Sequence, residues 1–302
     1  MASVDIEAHA RALEAHPDYR VLRRLATRAA YAAPDGRPLA KGVVVDTETT
    51  GLDHARDKIV ELGLVSFEFD PASGQVFRVL EVLDALEDPG MPIPAESTAV
   101  HGITDEMVAG QRIDDDRVAA LVDGAVMVIA HNAAFDRPFL EARLPVFSSM
   151  AWACSLEQID WNAEGFGGRA LDYIAYRLGF FYDAHRAEND CLALLEALQH
   201  PLPKSARTGM KYLLEQYAKT TYRIWARGSP FETKDALKAH AYRWDAEQKC
   251  WHKTVNHDDL KEETDWLKTN VYGGRRVKIE VEEFDRFSLF STRGGLTISR
   301  AI

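Results

Sequence analysis

Cysteine is scarce in this sequence, and long apolar runs are missing from it. Three of the 302 residues are cysteines, and they lie far apart, at Cys154, Cys191 and Cys250. This usage is typical of free thiols in a reducing compartment, so a cytoplasmic location is predicted. No stretch approaches the roughly 18 to 20 apolar residues that a membrane-spanning helix needs. The acidic N-terminus has no apolar segment typical of a signal peptide, so we expect no membrane partner.

Basic residues are also in short supply, since 36 Lys and Arg face 47 Asp and Glu, for a net charge of −11. The balance is uneven along the chain. Residues 1–200 hold 17 basic and 33 acidic residues, whereas residues 201–302 hold 19 and 14. An acidic region still binds a polyanion where cations neutralise its site locally. For the basic region two interpretations stay open, namely contacts to phosphate groups and an ordinary solvated surface.

Apolar periodicity predicts an α/β protein with a mixed sheet. A helix is predicted over residues 5–33, where apolar residues recur at helical spacing and Pro17 breaks the run. Strands are predicted at residues 42–48, 59–69, 75–84, 126–130 and 150–156, and helices at 104–109, 115–123, 171–178 and 188–198. The chain accordingly divides into an N-terminal helical extension (1–38), a central α/β domain (39–202), a linker helix (203–222) and a small α+β domain (223–302).

Asp46 and Glu48 are the most informative residues of the central domain. They follow the apolar run Val43–Val45, which reads as a buried strand. Residues i and i+2 of a strand point to the same side, so the two carboxylates lie side by side at the strand's end. Their mutual repulsion is relieved by a divalent cation, and hard oxygen ligands suit Mg²⁺ or Mn²⁺. The alternative is a pair of solvated acids.

Two further acids occur at the ends of predicted core elements. Asp136 follows the apolar strand at 126–130, and His185 and Asp190 stand near the start of a predicted helix. Strand ends at one edge of an α/β sheet converge, and four carboxylates in one place hold two divalent ions about 4 Å apart. Such a pair suits phosphodiester hydrolysis, and His185, with an unperturbed pKa near 6.5, is the natural proton acceptor. Taken singly, each acid also fits a cap or a turn.

Three segments in this order resemble the DEDDh branch of the DnaQ-like 3′→5′ exonucleases, within the ribonuclease H-like superfamily. They are Val45-Asp-Thr-Glu-Thr-Thr-Gly-Leu52, Ala130-His-Asn-Ala-Ala-Phe-Asp136 and His185-Arg-Ala-Glu-Asn-Asp190. Val100-His-Gly-Ile-Thr104 is similar to a fourth segment of the family. The resemblance covers residues 40–200 and is greatest to the proofreading epsilon subunits of bacterial DNA polymerase III. It implies a five-stranded ribonuclease H-like sheet flanked by helices, with the exonuclease domain at residues 39–202.

The resemblance also implies roles for individual residues. Asp46 would bridge two divalent cations, Mg²⁺ or Mn²⁺, and His185 would be the general base. The remaining ligands would be Glu48, Asp136 and Asp190. The substrate-binding residues would be Thr47, Thr49, Leu52, His101, Asn132 and Phe135, with Thr47 at the terminal 3′-hydroxyl and Leu52 wedged against the terminal base. Core packing stays open as the alternative for Leu52 and Phe135, and a turn position for His101.

The expected function is metal-dependent 3′→5′ exonuclease activity on single-stranded DNA ends, releasing nucleoside 5′-monophosphates in proofreading or repair. Trimming of RNA is an alternative, because no residue that would read a 2′-hydroxyl is identified. A role as a polymerase-associated interaction subunit is another. The expected partners are therefore DNA 3′ ends, RNA in the alternative, and a DNA polymerase.

The last 80 residues carry four of the six tryptophans, at Trp225, Trp244, Trp251 and Trp266. Two interpretations stay open for them. They build the core of a small domain, or they belong to an accessory grip in which an aromatic ring stacks on a base while Arg and Lys meet phosphates. The tail at residues 287–299 is predicted to be a strand or a partner-binding segment.

Overall fold

A computed structural model describes residues 5–302 of the chain, which form two units. The first unit comprises Met1–Asn132 and Cys154–Leu213, and the second comprises Ala133–Ala153 and Leu214–Ile302. In chain order the elements up to the middle of the chain are α1 (Ile6–Glu14), β1 (Arg23–Arg24), β2 (Ala40–Thr49), β3 (Ile59–Phe69), β4 (Val76–Leu86), α2 (Ala95–His101), α3 (Asp105–Val108), α4 (Asp115–Val122), β5 (Ala125–Ala130), α5 (Ala133–Arg143) and β6 (Trp152–Cys154).

The rest of the chain continues with α6 (Ser155–Gln158), α7 (Leu171–Leu178), β7 (Phe180–Phe181), α8 (Ala187–Gln199), α9 (Gly209–Tyr217), β8 (Thr221–Trp225), α10 (Lys234–Ala239), β9 (Arg243–Asp245), β10 (Cys250–Asn256), α11 (Leu260–Asn270), β11 (Lys278–Phe284) and β12 (Leu296–Ala301). Short 3₁₀ helices occur at Pro145–Ser149, Phe231–Thr233 and His257–Asp259.

The predicted mixed α/β sheet is confirmed, with strand order β4-β3-β2-β5-β6. The central strand β2 pairs antiparallel with β3 and parallel with β5, with Val44 opposite both Val65 and Ile129. Its run Val43–Val45 is fully buried, as expected of a strand covered on both faces. Because β2 and β5 are parallel, their C-terminal ends lie at the same edge of the sheet.

The helix predicted over residues 5–33 is wrong beyond its first turns, and residues 1–4 lie outside the described part of the chain. Helix α1 ends at Glu14, shortly before Pro17, which cannot supply an amide donor to a continuing helix. The following segment is extended, and its residues Arg23 and Arg24 pair in parallel with Phe180 and Phe181. Tertiary pairing therefore overrides the helical spacing of apolar residues in this segment.

Other differences from the predicted elements are smaller. Helix α2, which contains His101, was not predicted. The predicted linker helix at residues 203–222 is helical only over Gly209–Tyr217, and β8 begins inside that range at Thr221. The domain boundaries drawn from the sequence stay a prediction.

The second unit contains an antiparallel sheet of order β12-β11-β8-β10-β9. One face of this sheet packs with α10 and α11 around a core that includes Ile224, Leu237 and Leu267. Trp251 and Trp266 are partly buried and pack against this core. Trp225 is buried, whereas Trp244 is 52% exposed. The core interpretation therefore fits Trp251 and Trp266. The tail predicted at residues 287–299 forms a strand only from Leu296, in β12, and its partner-binding alternative stays a prediction.

The structure bears on two predictions, that the cysteines are free thiols and that the chain has no membrane-spanning helix. Cys154, Cys191 and Cys250 are buried free thiols. Within residues 5–302, none of the helices is sufficiently long and apolar to span a bilayer. The cytoplasmic location stays a prediction.

Candidate active site

Asp46 and Glu48 project from the same side of the C-terminal end of β2. Burial alternates along this part of the strand, since Asp46 and Glu48 are half-buried while Thr47 and Thr49 are buried on the opposite side. The pairing with β3 shifts register between Glu48 and Thr49. Such a bulge bends the strand end and re-aims its side chains, a device common beside active sites. The predicted side-by-side placement of the two acids is therefore observed.

Asp190 joins these two acids, although it is 142 residues further along the chain than Glu48. One oxygen atom from each of Asp46, Glu48 and Asp190 lies within 4.8 Å of the others, and all three side chains are half-buried. Within residues 5–302, this is the group of carboxylates, histidines and cysteines close enough together to hold a metal ion. Its donors are all hard oxygen atoms, which fit Mg²⁺ or Mn²⁺ and do not suit a soft ion.

The carboxylate of Asp190 is fixed by two hydrogen bonds. The Tyr182 hydroxyl donates to its Oδ1 at 2.8 Å, and the backbone N–H of Arg186 donates to its Oδ2 at 3.2 Å. The second bond resembles a capping box, since a first-turn carboxylate reaches back to the N–H that precedes the helix. Burial raises the pKa of Asp190, and the hydrogen bond from Tyr182 and the nearby His185 oppose that shift. Metal binding would favour the ionised carboxylate.

Two residues of β3 place the start of α8, and sequence reasoning missed both. Glu61 is fully buried and accepts hydrogen bonds from the Arg186 Nε at 2.8 Å and from the Ala187 N–H at 2.9 Å. A Cβ atom at Gly63 would lie 2.2 Å from the Ala187 carbonyl carbon, so only glycine permits this approach. A charged residue and a glycine inside the apolar run of a buried strand were the available signals.

His185 lies in the loop between β7 and α8, five residues before Asp190. Its side chain is exposed, and its backbone adopts a left-handed conformation with φ of 63°. This conformation is uncommon for a residue other than glycine and is found most often in tight turns and at functional sites. The loop therefore presents an accessible imidazole near the carboxylate that begins α8.

Asp136 is placed in the second unit, in the first turn of α5, where it is 3% exposed. The next residue, Arg137, is fully buried. Its Nε donates to Glu141 at 2.7 Å and its Nη1 donates to the Leu289 carbonyl at 2.6 Å, while its Nη2 donates to the Phe287 carbonyl. Burial lowers the pKa of Arg137, and Glu141 opposes that shift. Sequence reasoning did not single out Arg137.

Leu52 lies at the tip of the loop that follows β2 and is 86% exposed, so the core alternative for this residue is wrong. The loop is held closed. Asp57 accepts a hydrogen bond from the Asp53 N–H at 2.8 Å, and the Thr50 N–H donates to the Lys58 carbonyl at 2.9 Å. Leu52 is therefore accessible at the tip of a fixed loop.

The other predicted substrate-binding residues differ in their exposure. His101 is the last residue of α2 and is buried, and its Nδ1 accepts a hydrogen bond from the Ile103 N–H at 3.0 Å. Burial lowers its pKa. Asn132 is exposed, and half-buried Phe135 of the second unit packs on Phe139, with ring centroids 5.1 Å apart.

His131 has a structural role in the first unit. Its Nδ1 lies 2.7 Å from the Ser155 hydroxyl and its Nε2 lies 2.8 Å from the Arg169 carbonyl. A carbonyl oxygen only accepts, so Nε2 carries the proton and donates to Arg169, and Nδ1 accepts from Ser155. Burial lowers the pKa of His131 to about 4. This neutral ring connects the end of β5 with the segments at residues 155 and 169.

Comparison with known proteins identifies an exonuclease family. The RNase T exonuclease model matches residues 43–198, a little over half of the chain. A DNA polymerase III subunit epsilon-like protein of Rhodobacter capsulatus is 38% identical over 179 residues, which cover 56% of this chain and 24% of that protein. The DNA polymerase III subunit epsilon of Treponema pallidum is 32% identical over 162 residues, which cover 50% of this chain and 71% of that subunit.

A solved structure of exonuclease X in complex with 5′ overhanging duplex DNA is also similar. It is 24% identical, with a TM-score of 0.42, and the match covers 58% of this chain and 99% of that one. The chain spans about a quarter or less of the length of the first four curated relatives that it matches.

Proposed function

The chain belongs to the RNase T exonuclease family, within the DnaQ-like exonucleases, and from that premise we propose that it is a metal-dependent 3′→5′ exonuclease of single-stranded DNA. The observation that carries the proposal is the group of Asp46, Glu48 and Asp190, whose oxygen atoms lie within 4.8 Å of one another. The expected products are nucleoside 5′-monophosphates.

The proposed ligands are Asp46, Glu48 and Asp190, with Asp136 as the fourth carboxylate by family resemblance. Two bound divalent cations, Mg²⁺ or Mn²⁺, would activate water and offset the charge that develops on the phosphate. Half-burial of the three clustered acids makes their mutual repulsion costly in the absence of cations, so the site favours cation binding.

His185 is proposed as the general base. Its exposed ring carries a nitrogen that is able to accept the proton of an attacking water. The backbone of Thr47 and the exposed side chain of Leu52 are proposed to meet the terminal nucleotide. Leu52 offers an apolar surface against which a base packs, and this contact needs no sequence-specific hydrogen bond.

Labelled single-stranded oligonucleotides test the activity directly. We expect a 5′-labelled strand to give a ladder that shortens from its 3′ end, with Mg²⁺ or Mn²⁺ required and EDTA inhibitory. Shortening from the 5′ end, or hydrolysis that persists in EDTA, would contradict the proposal. An RNA strand of the same sequence in parallel decides the alternative, since faster RNA hydrolysis would assign the site to RNA trimming.

Two variants separate the proposed roles. Asp46→Ala should abolish hydrolysis, because it removes a carboxylate from the cation site. His185→Ala should slow hydrolysis by ~10²–10⁴-fold and leave Mn²⁺ affinity unchanged, because it removes only proton transfer. The exposed His9 of α1 provides a matched control, and His9→Ala should hydrolyse at the wild-type rate. Activity of Asp46→Ala close to that of the wild type in Mn²⁺ would refute the assignment.

Association with a DNA polymerase is the further part of the proposal, supported by the names of the epsilon and epsilon-like relatives. Co-purification of the tagged chain with a replicative polymerase from the same cell, in amounts close to one to one, is the expected result. A chain that recovers no polymerase under conditions in which it degrades DNA would be a free-standing nuclease.

A further inference from the structure

Within residues 5–302, Tyr182 supplies the hydroxyl group that donates a hydrogen bond to Asp190. It stands at the junction of β7 and the His185 loop, and its side chain is half-buried. The Tyr182 hydroxyl donates to the Asp190 Oδ1 at 2.8 Å.

The two hydrogen bonds on Asp190 have different origins. The bond from the Arg186 N–H belongs to the first turn of α8 and moves with that helix. The bond from Tyr182 comes from outside the helix, and so it fixes the rotation of the carboxylate relative to the sheet. Partners of this kind orient ligands and are worth 10- to 100-fold in metal affinity or activity in other proteins.

An N-terminal arm, defined here as residues 20–25, holds both neighbours of Tyr182. The Leu25 N–H donates to the Phe181 carbonyl at 2.8 Å, and an Arg24 Nη lies 2.8 Å from an Asp183 carboxylate oxygen. The arm also contacts the C-terminal end of α7. The Arg23 N–H donates to the Gly179 carbonyl at 3.1 Å, and Arg20 donates to the Arg177 carbonyl at 2.8 Å.

The backbone hydrogen bonds of the arm stabilise this contact more than the ion pair between Arg24 and Asp183 does. The side chains of Arg24 and Asp183 are 60% and 72% exposed, and exposed pairs contribute little. The paired amides instead form the parallel ladder between β1 and β7, which ends one residue before Tyr182. Because this strand pairing ends at Phe181, it limits the positions that the hydroxyl of the next residue, Tyr182, is able to reach.

We propose that Tyr182 is a positioning residue for the metal ligand Asp190, and that the N-terminal arm keeps Tyr182 in place. The inference rests on the proposed function for the identity of Asp190 as a ligand. It gives the segment before the exonuclease match a role in the chemistry, since the family match begins only at residue 43. The arm acts through Tyr182.

Tyr182→Phe is the sharpest test, because it removes only the hydroxyl. We expect direct Mn²⁺ binding, measured by calorimetry, to weaken about 10-fold and kcat at a fixed low Mn²⁺ concentration to fall by a similar factor. The KM for an oligonucleotide should stay within about twofold, and excess Mn²⁺ should restore most of kcat. Tyr212→Phe, which removes a hydroxyl from α9, should change none of these quantities.

The arm is tested by Leu25→Pro, which deletes the N–H that donates to the Phe181 carbonyl. Hydrogen exchange over residues 176–186 should become faster, and Mn²⁺ affinity should fall in the same direction as in Tyr182→Phe, by a smaller factor. The control is Ala26→Pro, since within residues 5–302 no assigned hydrogen bond uses the Ala26 N–H. Its exchange over that segment should match the wild type.

The outcomes distinguish this inference from the proposed function. Wild-type Mn²⁺ affinity and kcat in Tyr182→Phe, with Asp46→Ala inactive, would overturn the positioning role and leave the nuclease intact. Faster exchange in Leu25→Pro with unchanged Mn²⁺ affinity would overturn the role of the arm. If the wild type binds Mn²⁺ and cleaves no oligonucleotide, the nuclease proposal fails while the Mn²⁺ titration of Tyr182→Phe still decides the inference. A wild type without Mn²⁺ affinity would overturn both.

Discussion

Two helices carry acids of the proposed site near their N-terminal ends, and the chain fastens them in different ways. Helix α8, with Asp190, starts against β3 of its own unit, where Glu61 accepts the Ala187 N–H and Gly63 permits close approach. Helix α5, with Asp136, is fastened within the second unit through Arg137. The anchor of α8 lies inside the segment that defines the family, and the anchor of α5 lies far beyond it.

The anchor of α5 is a loop between β11 and β12, at residues 285–293. Besides the bonds of Arg137, the Ser291 hydroxyl donates to Glu141 at 2.8 Å and Arg293 donates to Glu141 at 2.9 Å. The Trp152 N–H also donates to the Arg286 carbonyl at 2.8 Å. Arg137 stays charged while fully buried because it has partners for its donors, as a buried charge requires. The C-terminal region is therefore part of the support of Asp136.

The largest expected effect is that of Arg137→Met, which tests the anchor of α5. The variant leaves the buried Leu289 carbonyl without its donor and removes one donor each from the Phe287 carbonyl and Glu141. We therefore expect a loss of about 3 to 5 kcal/mol in the free energy of unfolding. Urea denaturation measures the loss. Hydrogen exchange should accelerate over residues 133–143 and 285–293 and stay unchanged over residues 187–199.

Arg117→Met is the control for this variant, because Arg117 and its partner Glu81 are about half exposed. An exposed pair of this kind contributes about 0 to 1 kcal/mol. The contrast between the two helices would fail if Arg137→Met loosened α8 as much as α5, or if it were no more destabilising than Arg117→Met.

Gly63→Ala tests the anchor of α8 and should have the next largest effect. The added Cβ would meet the backbone carbonyl of Ala187 at 2.2 Å, and backbone does not give way as a flexible side chain does. We expect a loss of about 2 to 3 kcal/mol, at the upper end of overpacking effects. Exchange should now accelerate over residues 187–199 and stay unchanged over residues 133–143, and Mn²⁺ affinity should fall because Asp190 is displaced.

Gly294→Ala supplies the matched control for Gly63→Ala, since the same added atom meets only the Glu282 carboxylate at an ordinary 3.6 Å. It should unfold at the wild-type urea concentration. Equal destabilisation by the two glycine substitutions would mean that the close approach of β3 and α8 does not hold the helix in place.

The sequence alone predicts the parts of this site that depend on local patterns, and it misses those that depend on contacts between distant segments. The apolar run Val43–Val45 and the alternation of Asp46 and Glu48 are local patterns, and they predict the strand and the direction of both acids correctly. The motif around Asp190 is also local. The partners of Arg137 are main-chain carbonyls at residues 287 and 289, and a carbonyl leaves no trace in a side-chain pattern.

Long-range pairing also explains the N-terminal error. Val21, Leu22 and Leu25 have helical spacing, yet the ladder between β1 and β7 requires extended backbone there. By contrast, Glu61 lies in an apolar run that was correctly predicted as a strand. A buried charge in such a run signals a buried partner, although it does not say which one.

The smallest effect concerns His131, which precedes α5 in the chain and is held by Ser155 and Arg169 of the first unit. Its pKa is lowered to about 4 by burial, whereas an unfolded histidine has a pKa near 6.5. Between these values the unfolded state binds more protons, so stability falls as the pH drops below 6.5. At pH 5.5 the loss from this group should be about 1 kcal/mol relative to pH 8.

His131→Gln removes this titration, so its unfolding free energy should depend less steeply on pH between 6.5 and 5 than that of the wild type. At pH 5.5, exchange in the wild type should accelerate first over residues 128–132 and later over residues 133–143. If exchange accelerated in both segments at the same pH, the contacts of His131 would be needed to hold α5 itself. The contrast in which α5 is anchored by Arg137 would then be wrong.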